Sequence, residues 1–453
     1  MRAYWLCAAL LLGAAQPAAQ AEVFERTLAN GLKVIVKEDH RAPVVVQQIW
    51  YKAGSMDERT GVTGIAHVLE HLMFKGTKAV PAGEFSRRIA AAGGRENAFT
   101  SYDYTAYFQQ LHKSKLPLAM ELEADRMRNL NLNTADFAKE IKVVMEERRL
   151  RTDDEAHALL QEKMMATIYQ QHPYRHPIIG WMSDLESLTA GDAKAWYDRW
   201  YAPNNATLVI AGDVRADEVF ALAQRYYGAI PRRAMAPRRV FIEPRQAGIK
   251  RMVVKAPAEL PHLVMSYHAP ALQHPEQDWK PYALQILAGV LDGNESARLN
   301  KHLVREQQVA SEVGAGYDAT SRGPSLFTLE ATPSEGRTVG DVEAALRHEI
   351  AQLIKDGVSE EELKRVKAQV VAGEVYKRDS VFYQAMEIGQ MESIGLGYRA
   401  IPVMLEKLRA VTAEQVRQVA EEFLQDDSLT VALLDPQPLS GKPRTPKGAA
   451  HVH

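Results

Sequence analysis

The chain carries one cysteine, Cys7, in 453 residues. It lies in an N-terminal stretch, MRAYWLCAALLLGAAQPAAQAEVF, that has the parts of a secretory signal peptide. Arg2 gives a short positive start, Trp5 to Ala15 an apolar run, and AQA at residues 19–21 a small-residue cleavage site. Cleavage after Ala21 removes the cysteine. The mature chain is then expected to have no disulfide, no thiol nucleophile and no cysteine metal ligand. That excludes the small disulfide-stapled class. No apolar run is long enough to span a membrane. No basic cluster is present either: 55 Lys and Arg are mixed with 57 Asp and Glu, for a net charge of −2. Nucleic-acid binding needs clustered positive charge, so no nucleic-acid partner is expected. The sequence predicts a periplasmic or secreted protein that rests on its core.

What is present is ordinary globular composition, with 46% apolar residues. The length suggests roughly two to four domains. LKVIVKED and PVVVQQIWYKAG are β-branched runs that read as strands. Helical periodicity covers residues 61–75, 82–92 and 116–130, and one long helix is expected from Thr134 to Tyr169. IPRRAMAPRRVFIEPRQAG, rich in Pro and Arg and without apolar period, reads as a linker. TAGDAKAWYDRWYAPNNATLVIAGD and TAEQVRQVAEEFLQDDSLTVALLDP repeat one pattern of helix, polar turn and buried strand. Thr189 matches Thr412, Trp200 matches Phe423 and Thr207 matches Thr430. The expected fold is α+β: two similar domains, each a mostly antiparallel sheet covered by helices, facing each other around a cavity. The expected division is a signal peptide at 1–21, a first domain at 22–231, a linker at 232–249, a second domain at 250–435 and a disordered tail at 436–453.

The stretch GIAHVLEHLMFKGT sets two histidines four residues apart, with Glu70 beside the second. On a helix, Ile65, Leu69 and Leu72 share one stripe, flanked by Val68. His67 and His71 fall nearly opposite, about 40° apart. The apolar stripe is therefore not where the histidines are. The spacing stacks two imidazoles one turn apart, so both can reach one ion. H-x-x-E-H is the inverted form of a zinc-peptidase motif, with the glutamate placed to take a proton from water. A third ligand should come from elsewhere. FAKEIKVVMEERRL offers Glu140, Glu146 and Glu147, of which Glu140 and Glu147 share a face beside Val144. The same helix also reads as an ordinary charged one with pairs such as Glu147 to Arg151.

On these residues the chain resembles the pitrilysin/insulysin zinc metallopeptidases, which include the mitochondrial processing peptidases. The resemblance runs from about Glu25 to Asp435. AHVLEHLMFKGT is similar to the zinc helix of that family, GGRENAFTSYDYTAYF to its substrate-binding strand region, and EIKVVMEE to the helix of the third ligand. The resemblance implies one zinc ion held by His67, His71 and Glu147, with Glu70 as general base. It implies that Glu140 orients a ligand histidine. It also implies a peptide bound in extended form along an edge strand lined by Asn97, Ala98 and Phe99, where main-chain pairing gives affinity without demanding one sequence. HPYRHPIIG matches a family stretch too, and by itself reads as a turn.

In the second half, ESARLNKHLVREQQVASEVGAGYDA resembles the family's C-terminal domain, with Arg298, Leu299, Arg305, Glu306 and Tyr317 in familiar places. Active members add an arginine and a tyrosine from slightly further on, to stabilise the substrate oxyanion. No such pair follows here, and Phe327 stands where the arginine is expected. The resemblance then implies a homodimer or heterodimer in which a paralogous subunit supplies the pair. The expected function is a zinc-dependent endopeptidase acting on peptides or unfolded segments. The alternative is a non-catalytic peptide-binding or structural subunit.

Overall fold

The computed structural model describes residues 22–439 apart from residue 236. The signal peptide read at residues 1–21 and the tail from residue 440 onward lie outside the described residues. Six strands form the first sheet: β1 (Val23–Thr27), β2 (Lys33–Glu38), β3 (Val44–Tyr51), β4 (Arg95–Thr100), β5 (Thr105–His112) and β6 (Ala206–Gly212). Their order is β1-β2-β6-β3-β5-β4. Five form the second: β7 (Lys250–Pro257), β8 (His262–Ala269), β9 (Ala310–Tyr317), β10 (Ser325–Pro333) and β11 (Leu429–Gln437). Their order is β7-β11-β8-β10-β9. Neighbours are antiparallel except β2 with β6 and β11 with β7. With β1 set aside, the two sheets share one strand order and one parallel pair. The fold is α+β, as expected. β11 runs through Gln437, two residues into the stretch read as a tail.

The sequence repeat falls on equivalent elements. The helix Ala190–Trp200 leads into β6, and the helix Ala413–Phe423 leads into β11. Thr189 with Asp192, and Thr412 with Gln415, form capping boxes that satisfy the first amides of each helix. Thr207 and Thr430 are both fully buried. They pair in register with Lys33 and Lys250, the first residues of β2 and β7.

Five helices build the first half around the site: α1 (Ile65–Leu72), α2 (Glu84–Ala91), α3 (Leu116–Asn129), α4 (Thr134–Arg148) and α5 (Ala156–Ile168). The single helix expected from Thr134 to Tyr169 is divided. A π-helical turn occupies Arg149–Asp153, and Glu155 takes extended backbone before α5 starts. Thr152, Asp153 and Asp154 carry side chains that compete for nearby backbone groups, so helix is weakest there. The buried Arg148 guanidinium donates to Glu162 and to the carbonyl of Gly180, which fixes the bend.

The bend sends α5 across to the second sheet. Leu160, Met164 and Ile168 bury against Val254, Val264, Ala432 and Leu434. The helix Val381–Ile394 crosses the other way, and Ala385 and Ile388 bury against Ile35, Val46, Trp50 and Val209 of the first sheet. Each fully buried Leu, Ile, Met or Val side chain among these contributes about 1.5–3 kcal/mol of apolar burial. Gly389 sits so close to Trp50 that a Cβ there would lie 2.1 Å from the indole. β3 is therefore covered on both faces, which explains why it is buried from Val45 to Tyr51, Gln47 and Gln48 included. Among the described residues no helix is long and apolar enough to cross a membrane.

Candidate metal centre and active site

Gly64 precedes α1 as its N-cap, with a φ of 85° that suits glycine. A Cβ there would meet the Ile179 carbonyl at 2.5 Å, so the end of HPYRHPIIG abuts the start of this helix. Glu58 accepts the amides of Gly64 and Ala66, each at 2.8 Å, and so caps the helix. Burial pushes the Glu58 carboxyl well above its usual range. Ile65, Val68, Leu69 and Leu72 enter the core of the first half. That burial orients the opposite face, with His67, Glu70 and His71, toward a cavity of about 1010 Å³.

α4 lies over that face. Glu147 Oε2 is 3.3 Å from His71 Nε2 and 3.8 Å from His67 Nε2. Ligand atoms of His67, His71 and Glu147 all lie within 4.8 Å of one another, the one such group among the described residues. Glu140 lies 3.6 Å from His71 Nδ1, and Lys75 reaches its other oxygen at 2.7 Å. Arg151 holds Glu147 Oε1 at 2.6 Å, so the i, i+4 pair and the metal face share one carboxylate. Glu146 pairs with Arg149, is 60% exposed and stands outside this three-residue group. Thr100 donates its hydroxyl to Glu70 Oε2 at 2.5 Å.

Electrostatics separate the two histidines. Burial, with His71 beside it, pushes His67 down to about 4, leaving a neutral ring with a free lone pair. Burial works against charge on His71, but its contacts with Glu140 and Glu147 outweigh that and lift it to about 9. Burial raises Glu70, and the Thr100 hydroxyl pulls the other way. Burial opposes charge on Glu147, yet His71, His67 and Arg151 hold it below the usual carboxylate range. The carboxylates thus favour positive charge at one point. The Nδ1 of His67 is buried with no hydrogen-bond partner. Two imidazoles and one carboxylate form a donor set that suits zinc with one position left open.

β4 is the edge of its sheet beside this cavity. Asn97, Ala98 and Phe99 all line it. Ala98 packs on the α1 side, whereas the Phe99 ring turns to the other face and meets Trp50 edge-on at 5.4 Å. Among the described residues the second half contributes no lining residue, since the lining runs from His67 to Ile179. Phe327 is fully buried and stacked with Tyr317. Arg298 is tied to Glu362 and the Gly357 carbonyl. Sequence reasoning missed Thr100, Lys75 and Glu58. Thr100 and Lys75 lay inside stretches already singled out, and Glu58 did not.

Residues 33–181 match the family description "Insulinase (Peptidase family M16)", and residues 187–370 match "Peptidase M16 inactive domain". A zinc protease of Helicobacter pylori, PqqE, is 31% identical over 421 residues, covering 90% of this chain and 92% of that protein. The chain belongs to peptidase family M16. An uncharacterised zinc protease of Mycobacterium leprae is 30% identical over 410 residues, 90% of each chain. The crystal structure of a protease from Helicobacter pylori superposes with a TM-score of 0.86 at 28% identity, covering 92% of this chain and all of that one. The M16 membership agrees with the unequal halves: the one three-ligand group lies within the insulinase match.

Proposed function

We propose that the chain is a zinc-dependent endopeptidase that cuts peptides or unfolded segments bound in extended form. The observation that carries this reading is the convergence of His67, His71 and Glu147 beside Glu70, on a cavity bordered by the unpaired edge of β4. A zinc ion held by His67, His71 and Glu147 would supply Lewis acidity to water and to the scissile carbonyl. Glu70 takes a proton from the attacking water as oxygen bonds to the carbonyl carbon. It then passes that proton to the leaving amine nitrogen as the C–N bond breaks. Glu140, shared between His71 and Lys75, orients the His71 ring. The outer edge of β4, from Asn97 to Phe99, pairs with the peptide main chain. In this reading residues 22–231 form the zinc-holding domain, 232–249 the linker and 250–435 the second domain. The N-terminal stretch directs the chain to the periplasm or outside the cell.

Glu70→Gln tests the reading. It keeps one zinc per chain and lowers peptide turnover by about 10²–10⁴-fold. Unchanged turnover would sink Glu70 as the base. We also propose that a paralogous subunit completes the oxyanion site, because no residue of the second half lines the cavity. Full activity from the purified chain alone would remove that need. Absence of cleavage even with the paralogue present favours the non-catalytic, peptide-binding alternative.

A further inference from the structure

One loop of the second half reaches into the first. Between β9 and β10, Arg322 donates to both oxygens of Asp57, at 2.9 and 3.3 Å, and to the Asp103 carbonyl at 3.2 Å. Its own amide donates to Asp103 Oδ2 at 3.2 Å. Tyr174, from HPYRHPIIG, donates its hydroxyl to Asp103 Oδ1 at 2.6 Å and accepts the Gly323 amide at 2.9 Å. Arg238, from the linker, donates to Asp57 at 2.7 Å. Two carboxylates meet two guanidiniums, and Asp57, Asp103 and Tyr174 are all more than nine-tenths buried. Such a network is neutral and satisfied, and losing one member strands a buried charge.

Its position matters more than its strength. Asp103 lies in the turn that joins β4 to β5. The amides of Ser55 and Met56, just before Asp57, donate to the carbonyls of Ser101 and Tyr102 in that same turn. Arg322 therefore grips both sides of one splice. β4 has a sheet neighbour on one side only, so its free side gives it no support. The last residue of β4 is Thr100, whose hydroxyl holds Glu70.

We propose that Arg322 is a positioning residue: through Asp57, Asp103 and Tyr174, the second half fixes the closed end of β4 and so places Thr100 against Glu70 and keeps the peptide-docking edge ordered. This gives the tyrosine of HPYRHPIIG a role that a simple turn does not. It rests on the peptidase reading for its catalytic consequence, and on structure alone for its effect on β4.

The test is hydrogen exchange and kinetics on the full zinc-loaded chain, with Arg322→Met and Tyr174→Phe. In Arg322→Met, amides over residues 97–104 exchange at least about tenfold faster, while α1 and α5 keep wild-type rates. Zinc stays at one per chain. KM for an extended peptide rises and kcat falls, because edge order and the Thr100 contact are both weakened. Tyr174→Phe, which removes one hydroxyl, gives a smaller change in the same segment, and it decides the matter if Arg322→Met does not fold. Wild-type exchange over residues 97–104, or faster exchange spread across both halves, overturns the proposal. If the wild-type chain cleaves nothing even with its paralogue, the peptidase reading fails, and the exchange data still decide whether Arg322 positions β4.

Discussion

α1 and the helix Lys280–Asp292 hold corresponding places in the two halves. α1 packs on β4, α4 and the helix Ala190–Trp200. The second packs on β9, the helix Glu360–Lys377 and the helix Ala413–Phe423. Yet α1 is amphipathic, and KPYALQILAGVLD is buried nearly all round. Where α4 brings Glu140 and Glu147 over α1, the helix Glu360–Lys377 brings Val366 and Val370 against Gly289. One arrangement thus serves two ends. Apolar residues at the helix crossing make a core, whereas histidine and glutamate there make a polar cleft whose donor atoms could hold a cation.

The sharpest break of this comparison is to remove metal from the half that should hold it. Chelation is expected to take activity to background, and zinc restores it. His67→Ala loses the bound zinc and at least about 10⁴-fold of peptide turnover. Metal analysis of the wild-type chain should give one ion, and a second tightly held ion would contradict the division between the halves.

The halves are also coupled by their exchanged helices, and that coupling can be broken alone. Gly389→Leu forces a side chain into the Trp50 indole. The expected cost is about 1–3 kcal/mol or more, from overpacking. Thermal or denaturant unfolding measures it. Zinc content at low temperature should hold, since Trp50 lies on the sheet face away from α1. Loss of zinc from a folded Gly389→Leu chain would show that the crossing helix supports the site directly.

Much of this site was legible because a helix writes its burial into its sequence. The stripe of Ile65, Leu69 and Leu72 fixes where His67 and His71 point, and the repeat ending in Thr207 and Thr430 marks equivalent strands. The break after Arg148 was only partly legible: Thr152, Asp153 and Asp154 weaken helix locally, but the bend itself was not announced. It depends on Glu162 and on the Gly180 carbonyl, which no local pattern announces. Glu146 and Glu147 differ by one position, and only the docking of α4 on α1 sets Glu147 beside the histidines and leaves Glu146 at the surface. Phe99 lines the cavity, yet strand alternation turns its ring to Trp50. The contacts of Arg322 join residues more than 200 positions apart, beyond any periodic signal.

The comparison is sharpened further at Glu140, whose charge is shared by His71 and Lys75. Glu140→Gln keeps the shape but weakens the hold on the His71 ring. Zinc affinity is expected to fall about 10–100-fold. Competition with a chelator measures it. A wild-type affinity would mean that packing alone orients His71.

The smallest effect is expected at Arg151, which touches the Glu147 carboxylate from the solvent side. Its guanidinium meets Glu147 Oε1 at 2.6 Å, but the side chain is 71% exposed. An exposed pair of this kind contributes only about 0.2–1 kcal/mol and is screened by salt. Arg151→Gln should therefore change zinc affinity by no more than about fivefold, and the change should shrink as ionic strength rises. Two groups touch ligand residues within one α4–α1 crossing, Glu140 inside and Arg151 outside. If Arg151→Gln cost as much as Glu140→Gln, at any salt, burial would not be what ranks them. The contrast between a buried polar crossing and a solvated one would then fail within the zinc half itself.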